Sequence, residues 1–163
     1  MSRAFVKELD EQTDAGPERP QSPNTNYVTP RGLALLESQV RELSELRESL
    51  AVRDDLASQQ LIKNVERDLH YYAERVNRAV LVQANTQPDD KVHFGAAVEV
   101  EDAEGERQRF VIVGEDEADA PEGRISWVSP LAKALLNHAV GDVVTWRRPA
   151  GDKELEIIAI AKS

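Results

Sequence analysis

Cysteine is absent from these 163 residues, which excludes disulfides and thiolate metal sites and suits a reducing cytosol. Aromatic residues are scarce at 5%, so a core must rest on aliphatic side chains. No apolar run approaches the roughly 18–20 residues of a membrane span, and the N-terminus lacks the apolar centre of a signal peptide. A cytoplasmic protein is expected. Positive charge is also in deficit: the formal net charge is −10. Residues 85–163 carry nine basic and sixteen acidic groups, whereas residues 29–84 carry eight and nine. An acidic surface repels duplex phosphate and favours a basic protein partner, so autonomous DNA binding is not expected.

Two helix-type apolar seams are present. The first runs Leu33, Leu36, Val40, Leu43, Leu46 and Leu50; the second runs Ile62, Val65, Leu69, Tyr72, Val76 and Ala79. Steps of three and four let two helices zip together, which predicts an antiparallel coiled-coil hairpin over 29–84. Thr29-Pro30 opens the first helix, which is expected to reach about Arg53. Asp54-Asp55 closes it, and the return helix is expected from about Ala57-Ser58 to near Val82. Residues 1–28, with Pro17, Pro20 and Pro23 among polar residues, read as a disordered tail. A polar linker follows at 85–91.

From Val92 the period changes to two. Strands are predicted at 96–101, 107–113, 124–128, 142–147 and 154–160. Ser129-Pro130 opens a short helix, LAKALLNH, that Gly141 is expected to end. Residues 92–163 therefore predict an antiparallel sheet with one helix packed on it, and the chain as a whole an α+β fold. The run Glu115, Asp116, Glu117 and Asp119 lacks the spaced oxygens of a calcium loop and reads as a solvated turn. His70, His93 and His138 have no metal spacing.

The stretches VHFGAAV (92–98), FVIVGEDEAD (110–119), Ile125-Ser126 with SPLAKALL (129–136), AVGD (139–142) and PAG (149–151) resemble the Gre family of bacterial transcript-cleavage factors. The resemblance implies an FKBP-like sheet domain that docks at the rim of the RNA polymerase secondary channel. It also implies a coiled coil that enters the channel as a monomeric, non-enzymatic accessory factor. Carboxylates at the coiled-coil tip would help hold a magnesium ion of the polymerase while backtracked RNA is cut. The resemblance implies no metal or cofactor of the factor's own.

Carried over by residue, the family's tip Asp falls on Asp55, with Asp54 in place of a glycine and Ser58 in place of the tip Glu. The arms are shorter than the family's by about one heptad, roughly 10 Å of reach. Ser129 and Pro130 match the polymerase contact, preceded here by Trp127 and Val128. Lys63 and Arg67, with Arg75 and Arg78, either guide RNA or pair with Glu66, Asp68 and Glu74 on a solvated face. A non-cleaving competitor for the channel is the alternative, and a prolyl isomerase or chaperone module is the remote one.

Overall fold

The computed structural model describes residues 18–162. The chain divides into two compact units, one from residues up to 25 together with 34–79, the other from 26–33 together with 80–163. The part of the expected tail at 1–17 lies outside the described residues.

The helical unit follows from the seams. Helix α1 spans Pro30–Ala51 and helix α2 spans Leu56–Asn77. Leu36, Leu50 and Val65 are buried, and the other seam residues within the helices are half-buried, except Leu46, which is exposed. An ion pair of 3.3 Å between Arg47 and Glu66 joins the helices, and Val40 shares a groove with Ala73 and Val76. That pairing runs opposite in chain direction, as an antiparallel hairpin requires. Residues 18–25 belong to this unit and lie along α2. Arg19 sits 4.0 Å above the ring of Tyr71 and pairs with Asp68 at 3.4 Å, while Gln21 donates to the Tyr71 carbonyl.

The sheet unit holds the main core. Five strands, β3 (Ala96–Asp102), β4 (Arg107–Val113), β5 (Arg124–Ser126), β6 (Val143–Trp146) and β7 (Lys153–Lys162), stand in the order β5-β4-β3-β7-β6. Val98, Val100, Phe110, Ile112, Val144, Leu155 and Ile157 form one face, and helix α3 (Pro130–Leu135) covers it with Leu131, Ala132 and Leu135. Against β3, strand β7 shifts register between Ile157 and Ala159, which lets the longest strand bend. Asp102 closes the β3–β4 turn by accepting the N–H groups of Glu104 and Glu106, both at 2.9 Å.

Several expected boundaries move, each because a distant partner competes with the local pattern. Tyr27–Val28, placed in the disordered tail, form β1 and pair in parallel with Val80–Leu81, strand β2. The same pairing stops α2 at Asn77 rather than near Val82, since Val80 and Val82 donate to the carbonyls of Asn26 and Val28. Helix α1 ends at Ala51 rather than Arg53. Strand β5 is shorter than expected and lies parallel to β4, so the sheet is mixed rather than antiparallel. Helix α3 stops at Leu135, before Gly141. Asn137 turns to φ 70°, and its N–H bonds to Val92, whose own N–H reaches His138. No helix among the described residues is long and apolar enough to cross a membrane.

Candidate functional site

Asp55 does not close the first helix; it opens the second. Its backbone is extended (φ −96°, ψ 154°), and it stands at the N-cap of α2. One carboxylate oxygen accepts the Ser58 N–H at 2.9 Å and the other accepts the Ser58 hydroxyl at 2.7 Å. The Ser58 side-chain bond, then its backbone bond, holds the Asp55 carboxyl below the ordinary value of 3.8. Asp55 is thus a fixed, ionised carboxylate. Asp54 is exposed and not part of the cap. Ser58 is the third helical residue, where an acidic side chain would reach back in a capping box. A hydroxyl there locks Asp55 instead of adding a second charge.

Large apolar side chains flank the pair. Val52 is 86% exposed and Leu56 is 81% exposed. Further along α2, Glu66 is committed to Arg47, and Arg67 pairs with Asp68 at 3.3 Å. Lys63 is half-buried and partnered. Arg78 pairs with Glu74 at 3.2 Å across one helical turn. Arg75 departs most from the expected solvated face: it is 1% exposed and partnered, which removes it from any RNA path.

In the sheet unit, Ser129 caps α3 by accepting the Ala132 N–H at 3.3 Å, and Pro130 occupies the exposed first helical position. The Trp127 ring meets Tyr27 edge-on at 5.1 Å, and among the described residues its indole N–H has no acceptor. Val128 is half-buried, its N–H directed to the Ser126 hydroxyl. The sequence pattern locates these four residues in one turn, and the structure brings them together there.

Glu117 was hidden by its neighbours. Read as part of a solvated acidic run, it is buried, with its side chain only 4% exposed. The Thr29 hydroxyl donates to one of its oxygens at 2.6 Å, and Arg31 Nη1 donates to the other at 3.0 Å. Thr29 Oγ1 also accepts the Gly32 N–H, so Thr29 caps the first turn of α1 while Glu117 holds the cap and sets a negative charge beside it. A Cβ on Gly32 would lie 2.7 Å from the Glu117 oxygen, which explains the glycine. The usable signal was Thr29 at a helix start, since a capping hydroxyl has a proton left to donate.

Among the described residues no group of three or more His, Cys, Asp or Glu could hold a metal ion. The architecture is that of an α+β protein built around a long helical hairpin with a capped carboxylate at its turn. Residues 87–162 match the family described as transcription elongation factor GreA/GreB, C-terminal. Transcription elongation factor GreA of Thioalkalivibrio sulfidiphilus is 36% identical over 132 residues, covering 80% of this chain and 82% of its own. GreB of Neisseria meningitidis is 30% identical over 151 residues, covering 83% and 93%. A crystal structure of Thermus aquaticus Gfh1 aligns with 83% of this chain and 97% of its own, at 30% identity and a TM-score of 0.41. This chain belongs to the GreA/GreB family of transcription elongation factors.

Proposed function

We propose that this factor binds bacterial RNA polymerase as a cytoplasmic monomer, docks through the Trp127–Pro130 turn, and passes its hairpin into the secondary channel. The observation that carries this reading is the hairpin turn, where a fixed, ionised Asp55 stands beside Asp54 between two exposed apolar side chains. An exposed apolar pair favours a covering partner, and an ionised carboxylate favours a hard cation. Each Asp55 oxygen uses one acceptor position on Ser58 and keeps another. Asp55 therefore fits as a single additional oxygen ligand for a magnesium ion that belongs to the polymerase. Held there, such an ion would supply Lewis-acid chemistry for RNA hydrolysis, with Asp55 as one of its oxygen ligands. The roles of this chain are to bind, to position that one carboxylate, and to bring Asp54 close by.

One observation favours a second reading, in which the factor occupies the channel without supporting cleavage. Ser58 stands where the family resemblance places a second carboxylate, and it binds Asp55 rather than joining it. Both readings meet one assay. A purified backtracked elongation complex is given the factor and Mg²⁺, and the 3′ end of the RNA is followed on a gel. Shortening that Asp55→Ala abolishes, with polymerase binding unchanged, establishes the cleaving role. No shortening, together with inhibition of an authentic cleavage factor and a gain of cleavage in Ser58→Glu, establishes the competitor. Failure to bind polymerase at all overturns both.

A further inference from the structure

The sheet has two faces, and only one is the core. On β4, Phe110 and Ile112 point into the aliphatic cluster, so Arg109, Val111 and Val113 line the opposite face. Arg124 of β5 stands opposite Val111 in register and shares that face. The first turn of α1 lies over it, and between them is a cavity of about 440 Å³. That volume falls within the roughly 300–1,000 Å³ of small-molecule sites. Its floor is Val111 and Val113, and its charged lining is Arg31, Arg109, Arg124 and Glu117.

The charges do not cancel. Glu117 is already satisfied by Thr29 and Arg31. Arg109 and Arg124 have no acidic side chain within ion-pairing distance among the described residues. The link between Arg124 and Asp119 is a backbone bridge, and Glu99, opposite Arg109 in the ladder, pairs at 3.9 Å with Arg107. Two uncommitted guanidiniums therefore converge on an apolar-floored hollow in a chain of net charge −10. Planar five-donor forks match phosphoryl oxygens two at a time.

We infer that this cavity is a binding site for a small phosphorylated ligand carrying two adjacent phosphoryl groups, such as a nucleoside diphosphate or triphosphate. Arg109 and Arg124 grip the phosphates, and Val111 and Val113 support the rest. This function is separate from channel insertion and does not depend on it.

The test is calorimetric titration of the full chain with inorganic pyrophosphate in metal-free buffer. The overall negative charge suppresses diffuse anion uptake, so saturable binding reports a local site. The expected result is one-site binding that weakens at least about tenfold in R109Q/R124Q, since charge-assisted bonds are lost. Arg148→Gln, which alters an arginine stacked on Trp146 outside the cavity, should bind as wild type. A wild-type thermal midpoint in R109Q/R124Q keeps the loss from being a folding defect. Absence of saturable binding, or equal binding by R109Q/R124Q, overturns the inference. So does a short single-stranded RNA that binds through Arg109 and Arg124 where pyrophosphate does not.

Discussion

Two acidic side chains serve two helix N-termini, and their surroundings give them opposite uses. Glu117 comes from 88 residues away in sequence to sit on the first turn of α1, buried and enclosed by Thr29 and Arg31. Asp55 is local to α2, held by its own Ser58, and exposed at the hairpin turn. Both satisfy spare backbone or hydroxyl donors and complement the positive end of a helix. Burial makes the first a clamp; exposure leaves the second with acceptor capacity facing outward. A carboxylate at a helix start is thus not a functional signal until its solvent access is known.

The largest expected effect tests the buried member. Glu117→Ala leaves the buried Thr29 hydroxyl without its charged acceptor, while the half-exposed Arg31 turns to water, and the sheet unit should lose about 2 kcal/mol. Glu117→Gln keeps an acceptor for Thr29 and should lose less. Thermal unfolding followed by tryptophan fluorescence reads this unit, because Trp127 and Trp146 both lie in it. Equal midpoints for Glu117→Ala and wild type would mean that the clamp contributes nothing.

A smaller effect is expected at the exposed member. Asp55→Ala removes the α2 cap and should lower the midpoint of helix loss, read by far-ultraviolet circular dichroism, by a few degrees. Asp54→Ala should leave it unchanged, since Asp54 caps nothing. If the two variants unfold alike, the assignment of the cap to Asp55 is wrong.

The smallest effects are in pH dependence. Asp55 and Asp102 both titrate below 3.8 in the folded chain, Asp55 through Ser58 and Asp102 chiefly through its bond to Lys153 at 3.0 Å. A depressed folded value means that the stabilisation is complete above 3.8 and disappears as pH falls through the folded value. Ser58→Ala should raise the Asp55 titration midpoint, and Lys153→Met that of Asp102, each seen by carboxyl-carbon NMR. A midpoint that stays put in either variant removes the stated cause.

Much of this fold was legible locally. The two seams located both long helices, and the switch to period two located every strand of the five-stranded sheet, because amphipathic spacing reports which face is covered. Ser129-Pro130 marked a helix start for the same local reason. Less legible were features that depend on remote contacts. Tyr27–Val28 looked like tail because a two-residue strand has no period to read. Arg75 looked like surface because charge predicts solvent. At the hairpin turn, the adjacent acids were visible, but which of them caps α2 was not.

The sequence by itself determined the hairpin, the sheet strands, the short capped helix and the acids at the hairpin turn, because each is written in side-chain periodicity or cap chemistry over a few residues. Only the tertiary structure decided that Glu117 is buried while its acidic neighbour Asp116 is exposed. Only it set β5 parallel to β4 and brought Arg109 and Arg124 to one cavity. The physical reason is that burial and charge pairing are settled by atoms far apart in sequence, and a run of like residues carries no mark of which one will meet them.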